Sequence, residues 1–514
     1  MLKSHCLVAL TAFIALPAFA ADIQVRNEVS SDQVMSGRLL VIARRVAPSE
    51  STLPTQIDIE SFSPEDGLAV MGRDVDGMQR GATRRLDDED AAWPTSPWKL
   101  PAGDYWMQAL LDTRRDYGHF GRGGGDLTGP VRRIHVDGRP LNIELTLDRV
   151  WPAVQPWVFD PRTARFIVDA IPHARANARP YVFNSSSVSA FFGRPVDQRG
   201  WVLLPPGYDA RKKYPTVYSL STYSGDLARR SFDVTLIDLL MARGDLPAMV
   251  WVFPDYSVPG GTHEFVDSVN NGPWDHAFVD ELIPWIEGHY AVDTSPCKRL
   301  LTGHSSGGWS SLWLQVHHPE TFGGTWSTGP DPIDFHSFLN VDIYADVANA
   351  YRFADGTPIP AARARGKVVA RFEDVARIER VLGGSGGQLT SFEWTYSPRG
   401  DDGRPMPLFD DRTGAVDKAV ASAWASYDIV AYLRAHPDPR LRGKLHVIVG
   451  AEDNYYLDGA VRRLAELPDA ADVRILPGRT HNNLYQIGDD PLGFFRTIGH
   501  EMSETIRNHQ GLQK

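Results

Sequence analysis

Ser305, Asp453 and His481, in that order along the chain, are the residues whose types and settings suit nucleophilic acyl chemistry. Ser305 stands in Thr302-Gly303-His304-Ser305-Ser306-Gly307-Gly308-Trp309, a G-x-S-x-G. Arg299-Leu300-Leu301-Thr302 before it suits a short buried strand. After it, Trp309, Leu312, Trp313 and Val316 recur at helical spacing until Pro319. Strand, tight turn and helix form the setting of a nucleophile elbow. Such a turn holds a serine hydroxyl out of the sheet and aims the next backbone N–H, that of Ser306, at a developing oxyanion. A hydroxyl is a poor nucleophile until a base takes its proton, and the base needs an orienting carboxylate. In this topology the carboxylate and then the histidine follow the serine. After the strand-like Leu445–Val449 comes Gly450-Ala451-Glu452-Asp453. Asp453 is the best acid, with Glu452 and Asp458 as alternatives. After Val473–Leu476, His481 is the histidine of the next loop. The second oxyanion donor is expected in Ser221-Thr222-Tyr223-Ser224-Gly225, from the Tyr223 or Thr222 N–H. No H-E-x-x-H or other paired metal-ligand spacing occurs, so neither metal nor cofactor is expected.

These residues need an open sheet to hold them. From about residue 185, buried strands alternate with amphipathic helices. Tyr214–Leu220 and Ala248–Pro254 read as strands, while Phe278, Leu282, Ile283 and Ile286 mark a helix. That alternation predicts a mostly parallel sheet covered on both faces, with its ligand site at the carboxyl ends of the strands. Residues 22–150 read instead as a smaller all-β sandwich. Leu141, Ile143, Leu145 and Leu147 alternate with polar residues, and the stretches 37–43 and 103–110 are strand-like. Gly121-Arg122-Gly123-Gly124-Gly125-Asp126 lacks the Lys-Ser/Thr of a phosphate loop and reads as a flexible hairpin tip. Residues 151–184 form a proline-rich linker. The catalytic domain is expected over 185–514, with a partly helical, cap-like insertion at about 330–440. In that insertion, Trp394 and Tyr396 are the expected determinants of substrate choice.

The chain has 514 residues and a formal net charge of −11, without a basic face for nucleic acid. Residues 1–20 read as a signal peptide: Lys3, the apolar Leu7–Leu16, then Ala18-Phe19-Ala20. The expected location is the bacterial periplasm or the medium, with no membrane attachment after cleavage. Of two cysteines, Cys6 leaves with the signal and Cys297 remains alone, so no intrachain disulfide is expected. The sequence carries no indication of oligomeric state.

From about residue 185 the chain resembles the esterase D-like family of α/β-hydrolases, which includes enterochelin esterases, S-formylglutathione hydrolases, feruloyl and acetyl esterases, and mycolyltransferases. The matching segments are Leu204-Pro205-Pro206-Gly207-Tyr208, Tyr214-Pro215, Glu281-Leu282-Ile283-Pro284, the elbow itself, and His318-Pro319-Glu320-Thr321-Phe322-Gly323. The resemblance implies an α/β-hydrolase domain with Ser305 as nucleophile, His481 as base and Asp453 as acid. A β-sandwich ahead of it resembles the enterochelin-esterase arrangement. Ser221-Thr222 stand where the family often has His-Gly, which restricts the oxyanion loop. The expectation is an exported serine esterase on small-molecule or carbohydrate esters, acyl or feruloyl. The alternatives are a siderophore esterase, an acyltransferase on the same fold, and a non-catalytic binding protein.

Overall fold

The computed structural model describes residues 22–511, apart from 32, 140 and 141. The expected signal peptide and Leu141 of the predicted strand lie outside the described residues.

An eight-stranded sheet organises the larger part of the molecule. Its strands are β1 (Ala178–Asn184), β2 (Asp197–Leu203), β3 (Thr216–Leu220), β4 (Val250–Pro254), β5 (Arg299–His304), β6 (Gly324–Thr328), β7 (Leu445–Gly450) and β8 (Asp472–Leu476). The spatial order is β1-β2-β4-β3-β5-β6-β7-β8. β2 runs antiparallel to both its neighbours, and the strands from β4 onward are parallel. This is the α/β-hydrolase sheet.

Successive side chains on a strand point to opposite faces, so a sheet covered on both sides needs apolar residues in unbroken runs. Leu301, Val447 and Val449 pack into one layer with Trp309 and Leu312 of α2 (Ser306–His317). Leu300, Trp326 and Ile448 pack into the other. There they meet Val234, Ile237 and Leu240 of α1 (Ser231–Arg243), and Ile498 and Met502 of the C-terminal helix Gly493–Gly511. Each such side chain contributes roughly 1.5–3 kcal/mol by leaving water.

The structure corrects the linker expected at 151–184. Residues 178–184 form β1, paired along its whole length with β2. As an edge strand it is largely exposed, and it carries Pro180. An edge position tolerates both features, and both hide a strand from a periodicity reading.

Residues 22–150 form two packed sheets, one of three strands and one of seven. Ile23, Val25, Leu39, Val41 and Leu145 fill the space between them. The large sheet is buried on its outer face too. There Leu40, Ile42, Val70 and Leu110 pack against Ile378, Val381 and Leu382. Two of these belong to α3 (Phe372–Val381) of the insertion, and Leu382 follows it directly. After α3 comes α4 (Gln388–Tyr396). The insertion is therefore wedged between the sandwich and the catalytic sheet. Arg38 pins the contact, donating from Nε and Nη2 to the Val381 carbonyl at 2.9 and 2.8 Å.

The glycine-rich stretch 121–126 is also corrected. It is a fixed loop rather than a flexible tip. Arg122 is buried and donates to Asp58 Oδ1 at 2.7 Å and Gln108 Oε1 at 2.9 Å. The Asp126 carboxylate accepts from the Gly123 N–H at 2.6 Å and the Thr113 N–H at 3.1 Å. The glycines leave room for this packing: a Cβ on Gly123 would lie 1.8 Å from the Arg114 guanidinium. Among the described residues no helix is long and apolar enough to cross a membrane.

Arg38→Met should lower stability by about 2 kcal/mol, because the Val381 carbonyl loses a charged donor while staying buried. The measurement is the thermal unfolding midpoint. An unchanged midpoint would mean that the domain junction does not depend on this pair.

Candidate active site

Ser305 sits between β5 and α2 with φ 58° and ψ −124°, a strained conformation for a residue with a side chain. The turn is held by its surroundings. The Ser305 N–H donates to the Thr328 carbonyl at 3.0 Å, and its own carbonyl accepts from Trp309 N at 3.0 Å. Glycine is required on both sides for space. A Cβ on Gly303 would lie 2.1 Å from the Gly307 carbonyl oxygen, and one on Gly307 would lie 2.4 Å from those of Leu220 and Ser221.

His481 Nδ1 lies 2.9 Å from Asp453 Oδ2 in the loops that follow β8 and β7. Both side chains are buried. The other Asp453 oxygen accepts from the Tyr455 N–H at 2.8 Å, so the carboxylate cannot turn away. The imidazole is sandwiched: His304 packs at 4.3 Å between centroids and Tyr455 meets it edge-on at 5.1 Å. Gly329 leaves it room, since a Cβ there would sit 3.0 Å from Nδ1. Burial and the neighbouring His481 hold His304 well below the usual imidazole range, hence neutral. Neither alternative acid reaches His481. Asp458 pairs with Arg363 at 3.0 Å, and among the described residues Glu452 makes no side-chain hydrogen bond.

Ser305, His481, Thr222 and Tyr223 line one cavity of about 570 Å³. The Ser306 and Tyr223 N–H groups have no hydrogen-bond partner among the described residues. The loop carrying Tyr223 is anchored from outside. The Tyr223 hydroxyl donates to the carbonyl of Gly118, at 2.6 Å, and also contacts that of Gly386. The loop thus takes its shape from the sandwich and the insertion.

The model of the Putative esterase family matches residues 195–482 of this chain. The chain belongs to that family. It is a serine carboxylic-ester hydrolase of the α/β-hydrolase fold. Solved structures similar to it include a ferulic acid esterase, 14% identical, covering 64% of this chain and 99% of that one with a TM-score of 0.39. A CE1 ferulic acid esterase from the anaerobic fungus Anaeromyces mucronatus is 14% identical over 63% and 90%, with a TM-score of 0.34. An S-formylglutathione hydrolase from Agrobacterium tumefaciens is 13% identical over 64% and 94%, with a TM-score of 0.34.

In this esterase the Ser305 hydroxyl bonds not to His481 but to a residue the sequence reading missed. Asp331 Oδ1 accepts from Ser305 Oγ at 3.3 Å, and Oδ2 accepts from Ser306 Oγ at 2.6 Å and Gln388 Nε2 at 3.0 Å. Asp331 follows β6 in Gly329-Pro330-Asp331-Pro332, and that carboxylate just past a strand was the available signal. Behind it, buried Glu264 accepts from Ser310 Oγ at 2.7 Å and Thr262 Oγ1 at 2.6 Å. Burial, then mutual repulsion, raises Glu264 above the ordinary carboxylate range. Burial likewise raises Asp331. Among the described residues Glu264 has two hydroxyl partners, whereas Asp331 has three donors.

A second unforeseen residue is Arg363, on the strand Pro360–Ala364 of the insertion's hairpin. Its Nε donates to the Asp453 carbonyl at 2.8 Å, fixing the acid's backbone. The expectation for Trp394 and Tyr396 is corrected: neither lines the cavity. Tyr396 is buried against Trp309 at 5.3 Å, and Trp394 covers Gly260. From the same helix Gln388 and Phe392 reach the cavity instead. Of the neighbouring aromatics, Trp274, Trp309 and Trp326 are core and Tyr455 lines the cavity. Among the described residues no group of three or more His, Cys, Asp or Glu is placed to hold a metal ion.

Two outcomes are expected. Asp453→Asn should lower kcat by up to about ten thousandfold, because the histidine loses its orienting acceptor. Glu452→Gln and Asp458→Asn should fall far less, and steady-state kinetics of the three would reverse the assignment if either proved the crippled variant. For Glu264 the folded-state pKa lies above its ordinary value, so its contribution is fully present below about 4.5 and lost as pH rises through about 8. Glu264→Gln should therefore gain stability relative to the parent between pH 5 and pH 9. Equal pH dependence of the two denaturation curves would sink this.

Proposed function

We propose that this chain is an exported serine esterase that cleaves carboxylic esters through an acyl-enzyme, with acylated or feruloylated carbohydrates as its substrate class. One observation carries the catalytic part: a serine in a strained elbow shares a cavity with a buried imidazole–carboxylate pair 2.9 Å apart. In this reading Ser305 Oγ rotates from Asp331 toward Nε2 of His481, gives up its proton there and attacks the carbonyl carbon. Asp453 accepts from Nδ1–H and stabilises the imidazolium. The Ser306 and Tyr223 N–H groups receive the oxyanion. The alcohol leaves with the proton from His481, and water then takes the same route to release the acid.

The substrate class rests on the cavity's mixed lining. Phe62, Phe120, Phe392 and Tyr455 offer faces for an aromatic or sugar ring, and Glu60, Ser61 and Asn482 offer hydrogen bonds. Export rests on the character of residues 1–20.

The parent should hydrolyse p-nitrophenyl acetate and lose that activity on phosphonylation of Ser305. Ser305→Ala should retain its fold and fall by roughly a thousandfold or more. A folded Ser305→Ala protein with near-parental turnover would overturn the reading. Assays on acetylated xylan, methyl ferulate and a ferric trilactone siderophore test the substrate class, and exclusive turnover of the last would displace carbohydrate esters.

A further inference from the structure

By sequence Phe62 belongs to the N-terminal sandwich, yet its half-buried ring packs against the core of the catalytic domain. It meets Tyr455 edge-on, with centroids 5.4 Å apart and ring planes at 84°. Tyr455 in turn meets the His481 imidazole at 5.1 Å and 79°. Three rings therefore run in series from the sandwich to the catalytic base. Both contacts are T-shaped, one of the arrangements that aromatic quadrupoles favour.

The series is anchored at its sandwich end. Ile57 and Ile59 are buried with Ile378 and Val381 of the insertion. The Ile57 N–H donates to Gln108 Oε1 and the Ile59 N–H to the Tyr117 hydroxyl, each at 3.0 Å. Arg122 Nη2 donates to the Ile57 carbonyl at 2.5 Å. A turn closed by the Ser63 N–H on the Glu60 carbonyl, at 3.1 Å, then presents Phe62. The catalytic end is held less completely. The bond to Asp453 fixes one point of the His481 ring without fixing its plane. His304 and Tyr455 set that plane by packing on it. The Tyr455 backbone is tied to the Asp453 carboxylate, but its half-buried ring can still change rotamer unless something packs on it.

We infer that Phe62 is a positioning residue for the reaction: by packing on Tyr455 it keeps the His481 imidazole aimed at the nucleophile. The catalytic domain thus takes part of its geometry from the sandwich. The inference rests on the esterase reading. It parallels the bond from the Tyr223 hydroxyl to Gly118, which braces the oxyanion loop on the same domain. Small misplacements of a catalytic group cost rate even when the displaced contact is remote from the chemistry.

The experiment compares the full chain with Phe62→Leu, Tyr455→Leu and the double variant, active sites being counted by phosphonate titration. Two esters are used: p-nitrophenyl acetate and the best substrate among the bulkier esters named above. Phe62→Leu should lower kcat by roughly threefold to tenfold, the worth of one aromatic pair. The factor should be the same on both esters, because one histidine serves both, and KM for the acetate should hold. With Tyr455→Leu in place, Phe62→Leu should cost nothing further, since the link is already cut. Phe62→Tyr, which keeps the ring, should recover most of the loss. The proton on His481 Nδ1 gives a separate readout: its resonance should shift or broaden in Phe62→Leu. Should the leucine variant not fold, Phe62→Ile makes the same test. A loss confined to the bulkier ester or to KM would make Phe62 a substrate wall and overturn the inference. So would additive losses in the double variant, or an unmoved resonance. A parent that hydrolyses no ester and takes no phosphonate would instead be a failure of the esterase reading.

Discussion

Everything at the candidate site follows from one crowded turn. Ser305 can hold a left-handed backbone only because the helix behind it passes almost in contact with β3. That approach leaves no room for a methyl group at either flanking glycine. It fixes where the hydroxyl emerges, and hence where the loops after β7 and β8 must end for an imidazole to meet it. The parallel sheet supplies that coincidence, because its strands end at one edge. The hydrophobic layers on either face keep the edge rigid.

The second organising feature is the insertion. Its outer side completes the core of the sandwich through Ile378 and Val381, and its hairpin holds the acid loop through Arg363. Through Gln388 it reaches the Asp331 carboxylate beside the nucleophile. One segment therefore joins the sandwich, the acid and the serine. A cap that only covered a pocket would need none of these bonds, so its role in this structure is that of a brace.

Much of this could be read from the chain, and the boundary has a physical reason. The elbow, the acid loop and the histidine loop are local signals: a glycine pattern, a strand end, a loop with one histidine. The buried strands β3, β4, β5 and β7 announced themselves by short, largely apolar stretches. β1 did not, because an edge strand with a proline and exposed side chains looks like a connector. Asp331 and Arg363 gain meaning only from partners far along the chain. The phase of α4 about its axis, which sends Phe392 and not Trp394 into the cavity, depends on how the insertion docks. The glycine-rich loop at 121–126 looked mobile by composition. It is fixed by the buried Arg122, a charge whose partners sit on three separate segments.

The contact between the large sheet and α3 also bears on the order in which the chain assembles. The sandwich is synthesised first and has a core of its own in Ile23, Val25, Leu39 and Leu145. Domains fold as units, N-terminal first. Its outer face, with Leu40, Ile42 and Val70, is then already presented when residues 372–382 emerge. The early domain is thus available as an internal template for the insertion before β7 and β8 have been made. A chain that began after the sandwich would have to fold its insertion with that apolar side open to water, where it would be prone to self-association.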